Sequence, residues 1–125
     1  MHVAAAIIKN TENKILIAER PKGKYAAGLW EFPGGKIEKN ESIFKALQRE
    51  ILEEVNLHII SASPWLKTHY DYVDRSVTLD FWLVEEFSGE AKGMEGQLVR
   101  WVNIQELSQY TFPEGNKPVL EKLFI

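Results

Sequence analysis

Two short apolar runs begin the chain, and each has the length and composition of a β-strand. Residues 3–8 and 15–20 are rich in aliphatic and β-branched side chains. The turn-forming residues 10–13 separate them. This spacing predicts a hairpin of two neighbouring strands.

The next segment is dominated by residues that interrupt regular structure. Residues 21–28 predict a polar loop. After the apolar residues 29–32, the sequence PGG at 33–35 is expected to break any regular element.

An amphipathic helix is predicted over residues 42–56. Ser42 is a suitable N-cap, and Asn56 tolerates the left-handed conformation in which helices commonly end. Apolar residues that recur at spacings of three and four give this helix one core-facing stripe. They are Phe44, Leu47, Ile51 and Val55.

The second half of the chain predicts more strands and a last helix. Residues 57–70 and 76–87 flank a polar turn, which indicates a second hairpin. The remaining predicted elements are a glycine-rich loop at 88–97, a strand at 98–102 and a helix at 117–124, with Pro118 in its first turn. This order is typical of an α+β domain with a mixed sheet.

Composition narrows the class of protein. The chain has 125 residues, 45% of them apolar, which predicts one domain over residues 1–125. It has no cysteine, so disulfides, thiolate metal sites and cysteine nucleophiles are excluded, and a cytoplasmic location is expected. The net charge of −3 gives no attraction to a nucleic acid polymer, so none is expected as a partner. The chain has no apolar run long enough to span a membrane, so no membrane is expected as a partner either. No protein partner is indicated.

Three glutamates share one face of the predicted helix. Glu50, Glu53 and Glu54 stand at positions i, i+3 and i+4, where like charges repel. An acidic solvated face is one interpretation of this stripe. A divalent cation held by the carboxylates is the other, and the flexible pair Gly34 and Gly35 just before the helix favours it.

A longer motif contains this stripe. Residues 35–57 read GKIEKNESIFKALQREILEEVNL, which resembles the box of the Nudix hydrolases. The box is matched throughout except at Asn56, where the family has glycine. The resemblance implies the Nudix fold, an α/β/α sandwich with a mixed β-sheet, and hydrolysis of a nucleotide phosphoanhydride.

The resemblance also reaches beyond the box, to the members of the family that remove 8-oxo-dGTP from the nucleotide pool and so protect DNA from damage. The segments that carry it are LWEFPGGKIE at 29–38, DRSVTLDFWLVE at 74–85, GMEGQ at 93–97 and FPEGNKPV at 112–119. It implies an 8-oxo-dGTP diphosphatase that releases 8-oxo-dGMP and pyrophosphate. Alternatives are a Nudix pyrophosphohydrolase for CTP, dCTP or another nucleotide, and a non-catalytic nucleotide-binding module.

The resemblance implies a metal site that holds Mg²⁺, with Mn²⁺ as an alternative ion. Arg49 would orient the glutamates, Glu41 would tie the loop to the helix, and Gly35 would be structural. Glu50 is implied as the general base, and Glu53 and Glu95 are the other candidates. The implied ligands are the Gly34 carbonyl and the carboxylates of Glu50, Glu53, Glu54 and Glu95.

Asn116 matches the asparagine with which these enzymes read the base. Its amide offers one donor and one acceptor, which fits O6 and the N7–H of 8-oxoguanine. An N-cap of the last helix is a second interpretation of Asn116, and both roles are compatible. Arg20, Phe32 and Arg75 also match nucleotide-site positions, although Phe32 alone would be read as a core aromatic and the two arginines as surface charges.

Overall fold

The structure is a computed structural model, and it describes residues 1–20 and 28–124. Within these residues there are two α-helices, α1 (Ile43–Val55) and α2 (Lys117–Leu123). Two 3-10 segments, Ile104–Gln109 and Glu114–Asn116, precede α2. The strands are β1 (His2–Ile8), β2 (Ile15–Glu19), β3 (Trp30–Glu31), β4 (Gly34–Lys36), β5 (His58–Asp71), β6 (Ser76–Ser88) and β7 (Val99–Val102).

The strands form two sheets with β1 at the centre of the packing. One sheet has the order β4-β1-β6-β5, in which only β1 and β6 are parallel, so it is mixed. The other has the antiparallel order β3-β2-β7. Ala4, Ala6 and Ile8 of β1 pack with α1, whereas Ala5 and Ile7 pack in a second core that includes Val119 of α2. Helices therefore cover both faces, and the predicted α+β sandwich with a mixed sheet is confirmed.

The predicted hairpin of the first two strands is wrong. β1 and β2 belong to different sheets, and the antiparallel pairing between their segments is limited to a bridge from Lys9 to Ile15. The turn-forming residues do reverse the chain, since the Asn10 N–H donates to the Lys14 carbonyl at 3.0 Å. Beyond that bridge, β1 pairs with β4 and β6, whereas β2 pairs with β3 and β7, so long-range pairing and not the local turn decides which sheet each strand joins.

The expectation that PGG breaks all regular structure is also wrong. Gly34 and Gly35 lie in β4, which pairs antiparallel with β1. A Cβ at Gly34 would overlap the Ala4 carbonyl, and a Cβ at Gly35 would overlap the Glu50 carboxylate. Glycine here allows close approach of a strand to its neighbours. Of the loop predicted at 21–28, residues 21–27 lie outside the described residues.

The other predicted elements are confirmed within a residue or two. The Ser42 hydroxyl accepts from the Lys45 N–H at the start of α1, and Asn56 ends the helix at φ 64° and ψ 30°. β5 and β6 form the second hairpin. None of the described helices is long and apolar enough to cross a membrane.

Candidate active site

A cavity of about 640 Å³ opens beside β4, and it has the volume of a site for a small molecule. Acidic residues and polar or aromatic residues from distant parts of the chain line it together. Eight of the residues singled out from the sequence lie in its wall: Arg20, Phe32, Gly34, Gly35, Glu54, Arg75, Glu95 and Asn116.

Arg49 ties α1 to the segment that precedes it. Its Nε and Nη2 donate to both oxygens of Glu41 at 2.8 Å each, and Nη2 also donates to the Lys36 carbonyl at 3.0 Å. Glu41 also accepts from the Glu38 N–H at 3.0 Å. The bonds from Arg49 and then from Glu38 lower the pKa of Glu41 to about 2, so it is ionised at neutral pH.

The same guanidinium holds Glu50 in place. Arg49 Nη1 donates to Glu50 Oε1 at 2.6 Å, a short charge-assisted hydrogen bond. Burial raises the pKa of Glu50, and Arg49 opposes that shift. Arg49 therefore fixes the direction of the Glu50 carboxylate while Glu41 fixes Arg49.

We expect Arg49→Lys to lower kcat for the nucleotide hydrolysis that the resemblance implies by about tenfold or more, because a lysine ammonium cannot replace a planar guanidinium that bonds Glu41, Lys36 and Glu50 together. Steady-state kinetics measure the change. Arg100→Lys, the same substitution on the exposed part of β7, is the control and should retain kcat. An Arg49→Lys variant with unaltered kcat would contradict this role.

Three carboxylates of the cavity wall, those of Glu31, Glu54 and Glu95, lie close enough to repel one another, and Glu50 beside the wall adds to the repulsion. Glu54 is the most affected, because burial and then the charges of Glu31, Glu50 and Glu95 raise its pKa to about 8. The Gly34 N–H donates to Glu54 and only partly offsets this shift. Burial also raises the pKa of Glu31 despite an ion pair with Arg20 Nε at 3.1 Å. A site of this kind concentrates hard oxygen donors and unbalanced negative charge.

The loop that follows β6 carries Glu95 to this cluster. It is attached to the end of α1, since the N–H groups of Lys92 and Met94 donate to the carbonyls of Val55 and Glu54 at 3.0 Å each. Gln97 completes the attachment: its Nε2 donates to the Glu54 carbonyl at 3.0 Å and its Oε1 accepts from the Glu95 N–H at 2.8 Å. Glu54 and Glu95 are therefore positioned by one hydrogen-bonded unit.

Asn116 lies in the wall of the cavity and is 8% exposed. It occupies the N-cap position of α2, but its side chain makes no capping hydrogen bond. The N-cap position predicted from the sequence is therefore confirmed, but the side chain does not cap: Asn116 has the helical φ and ψ of −92° and −3°, whereas a residue whose side chain caps is normally extended.

The other predicted nucleotide-site residues differ in their surroundings. Phe32 is 4% exposed and stacks on Phe112 at 5.1 Å, so it is a core aromatic that also reaches the cavity. Arg20 pairs with Glu31. The Arg75 guanidinium lies 5.7 Å from the ring centre of Tyr72. Both arginines are partly buried in the cavity wall and are not simple surface charges.

Comparison with known proteins identifies the family. Residues 4–122 match the NUDIX domain family. The chain belongs to this family. The resemblance seen in the box at 35–57 is confirmed, and the protein is a Nudix hydrolase.

Relatives of known activity cover nearly the whole Nudix chain. The 8-oxo-dGTP diphosphatase of Escherichia coli K12 is 42% identical over 98% of this chain and 95% of its own length. The CTP pyrophosphohydrolase of the same organism is 38% identical over 97% of this chain and 89% of its own. A solved MutT structure, from work on the Aliivibrio salmonicida and Vibrio cholerae proteins, superposes with a TM-score of 0.85 at 40% identity. That alignment covers 98% of this chain and 94% of the other.

Nudix hydrolases use divalent metal ions. The donor set here fits such an ion, because Glu31, Glu50, Glu54 and Glu95 supply hard oxygen atoms and excess negative charge. Across residues 1–20 and 28–124, however, no three His, Asp or Glu side chains already stand together as a ligand group. The side chain of Glu53 is 64% exposed and lies 4.0 Å from Arg49, outside the cavity wall.

Sequence reasoning missed three residues of this Nudix site. Glu31 joins the acidic cluster through β3. The sequence carried a signal for it, because the charged Glu31 lies between the apolar residues Trp30 and Phe32, which the structure buries on the other face. Gln97 belongs to the GMEGQ segment at 93–97, but no sequence pattern marks its side chain as the link between Glu54 and Glu95. Tyr72 lines the cavity from the turn between β5 and β6, and no local pattern marks it.

We expect Glu54→Gln to stabilise this Nudix protein in EDTA. Since the pKa of Glu54 in the folded state lies above its ordinary 4.5, the folded protein binds this proton more tightly than the unfolded chain. The free energy of unfolding then falls as pH rises from about 4.5 to about 8. The variant loses that component, and we expect its Tm at pH 8.5 to exceed the parent's by about 3 °C or more.

Thermal unfolding with EDTA and with Mg²⁺ measures this difference. Added Mg²⁺ should raise the Tm of the parent and have less effect on the Glu54→Gln variant. Glu86→Gln, on an exposed part of β6, is the control. A variant less stable than the parent in EDTA would contradict the proposed repulsion.

Proposed function

We propose that this protein hydrolyses 8-oxo-dGTP to 8-oxo-dGMP and pyrophosphate and so keeps oxidised guanine nucleotides out of DNA. The observation that carries the proposal is the cavity itself, whose wall contains both the acidic residues Glu54 and Glu95 and the buried amide of Asn116. A nucleoside triphosphate needs both parts, because its phosphates and its base are recognised by different chemistry. We propose a cytoplasmic location, because the nucleotide pool that such an enzyme would act on is found there.

Asn116 is proposed to read the base. In guanine, O6 and N7 both accept hydrogen bonds, whereas in 8-oxoguanine N7 carries hydrogen. The Asn116 amide nitrogen can then donate to O6 while its oxygen accepts from N7–H. With unmodified guanine that oxygen would face a lone pair in a buried site, and a mismatch of this kind is strongly disfavoured. Its 8% exposure supports this discrimination.

We propose Mg²⁺ as the ion, with Mn²⁺ as an alternative. The residues that would hold it are Glu50, Glu54 and Glu95 with the Gly34 carbonyl, and Glu53 if its exposed side chain turns inward. When bound, Mg²⁺ increases the acidity of water and offsets phosphate charge.

Glu50 is the proposed general base, with Glu53 and Glu95 as the other candidates. A water molecule attacks the β-phosphorus, its proton passes to the Glu50 carboxylate, and the bond from the β-phosphorus to the bridging α–β oxygen breaks. The products are the nucleoside monophosphate and pyrophosphate. Arg49 supports this role because its hydrogen bond at 2.6 Å keeps the Glu50 carboxylate in one orientation.

A second candidate substrate is CTP or dCTP. The E. coli CTP pyrophosphohydrolase is 38% identical to this chain, close to the 42% of the E. coli 8-oxo-dGTP diphosphatase. The two functions share the phosphate chemistry and differ only in base recognition. Asn116 favours the purine because its amide matches both groups of 8-oxoguanine.

The values of kcat/KM for 8-oxo-dGTP, dGTP, dCTP and CTP with Mg²⁺, together with product identification, test the proposal. We expect a large preference for 8-oxo-dGTP and release of pyrophosphate. Equal rates for 8-oxo-dGTP and dGTP would reject it. A preference for a cytosine nucleotide would instead support the second candidate, and binding without turnover of any nucleotide would indicate a binding module.

A further inference from the structure

One hydroxyl group links the hairpin of β5 and β6 to the 3-10 segment that carries Asn116. The Gly115 N–H donates to the Tyr72 hydroxyl oxygen at 2.8 Å, across 43 positions of sequence. The first N–H groups of a helical segment have no partner within it, so they need an acceptor from elsewhere. Tyr72 supplies that acceptor.

Tyr72 is itself held firmly on its hairpin. Its N–H donates to the Arg75 carbonyl at 2.7 Å, which closes the turn. Its ring lies 4.6 Å from the ring of Tyr70 and 5.7 Å from the Arg75 guanidinium. The hydroxyl is therefore presented by a constrained aromatic ring and not by a freely rotating side chain.

Gly115 is shaped for this contact. A Cβ at position 115 would lie 2.7 Å from the Tyr72 hydroxyl, so only glycine lets the hydroxyl approach its backbone. The next residue is Asn116, whose N–H donates to the Pro113 carbonyl at 3.0 Å. Because the Asn116 side chain makes no capping bond to α2, its direction depends on where this short segment is held.

We propose that Tyr72 is a positioning residue for base discrimination: its hydroxyl fixes the segment Glu114–Asn116 against the hairpin and so orients the Asn116 amide in the cavity. This rests on the proposed role of Asn116. Among the hydrogen bonds of the described residues, the Tyr72 hydroxyl binds the Gly115 N–H, and none joins it to Glu50, Glu54 or Glu95. Loss of the hydroxyl therefore acts on base selection, through KM more than through kcat.

Tyr72→Phe tests the proposal because it removes the hydroxyl and keeps the ring. We expect the ratio of kcat/KM for 8-oxo-dGTP to that for dGTP to fall by about three- to tenfold, the effect of one hydrogen bond. Tyr70→Phe removes a hydroxyl from the same hairpin and is the matched control, with an unchanged ratio expected. In NMR spectra, Tyr72→Phe should speed exchange of the Gly115 N–H and shift the side-chain amide signals of Asn116.

A double-substitution cycle tests the geometry independently of activity. Gly115→Ala alone should lower the Tm, because the new Cβ meets the Tyr72 hydroxyl. In the Tyr72→Phe background the hydroxyl is gone, and the new Cβ meets the Tyr70 Cβ and the Cζ of ring 72, both at 3.5 Å. These are ordinary contacts, so the Tm loss caused by Gly115→Ala should be smaller there. Equal losses of Tm from Gly115→Ala in both backgrounds would overturn the assigned contact.

The outcomes separate this proposal from the proposed function. If the wild type does not prefer 8-oxo-dGTP over dGTP, the proposed function is rejected. The selectivity of the wild type and of Tyr72→Phe is then compared for the nucleotide that the wild type does prefer. For either substrate, a Tyr72→Phe variant with the wild-type ratio and unshifted Asn116 amide signals overturns the positioning role. A reduced ratio with shifted signals supports it.

Discussion

Glu50→Gln is expected to lower kcat for nucleotide hydrolysis by about 10³-fold, within the range attributed to a general base. Glutamine has the shape of glutamate, so it should preserve the packing against Gly35, where even a Cβ would overlap the Glu50 carboxylate. It cannot accept a proton from water, and it is a poorer metal ligand. The loss should therefore appear in turnover and not in folding.

The experiment compares kcat at saturating nucleotide and Mg²⁺ with the Tm of the same samples. Glu12→Gln, the same change in the exposed turn after β1, is the matched control and should retain full kcat. A loss of less than about tenfold in the Glu50 variant would exclude Glu50 as the base. Glu53→Gln and Glu95→Gln would then identify which of the other candidates serves.

Asn116→Ala is expected to lower the preference for 8-oxo-dGTP over dGTP by about 100-fold. The variant loses the donor to O6 and the acceptor for N7–H together, in a position that is 8% exposed. Water cannot readily replace either group in a buried wall, so both partners on the base become unsatisfied. Because the same amide oxygen faces the N7 lone pair of unmodified guanine, its removal also relieves an unfavourable contact with dGTP, so the ratio of kcat/KM values falls from both sides.

Asn116→Asp separates the two hydrogen bonds. Aspartate keeps the shape and the acceptor for N7–H, but it removes the donor and places a negative charge near O6. We expect kcat/KM for 8-oxo-dGTP to fall, and the Tm to fall with it, because the new carboxylate is buried in the same wall as Glu54 and Glu95. An Asn116→Ala variant that keeps the full preference would show that the base is read elsewhere in the cavity.

The sequence alone predicted what depends on local signals. Helix α1, its Ser42 cap and the left-handed Asn56 follow from side-chain periodicity and backbone preference, and all three are confirmed. Sheet membership is a long-range property, and this is why the first hairpin was wrong. The strand at Gly34 and Gly35 was missed because glycine has little strand propensity, whereas here close approach to β1 and Glu50 decides the matter.

The candidate site shows the same division. Spacing placed Glu50, Glu53 and Glu54 on one helix face, yet it could not predict that Glu54 is half-buried in the cavity wall while the Glu53 side chain is 64% exposed. Glu31 and Tyr72 reach the cavity only through β3 and through the turn between β5 and β6. The roles of these residues in binding and catalysis stay predictions until the variants are measured.

The repulsion among the cavity carboxylates has a consequence for protein engineering. A library of this protein screened only for heat resistance, in buffer with a chelator, would enrich substitutions at Glu54, because they remove a charge that weakens the fold. The survivors would be robust and inactive. A screen that includes Mg²⁺ and nucleotide rewards the parent residues instead, so the choice of buffer would decide whether such a campaign yields an enzyme or only a durable scaffold.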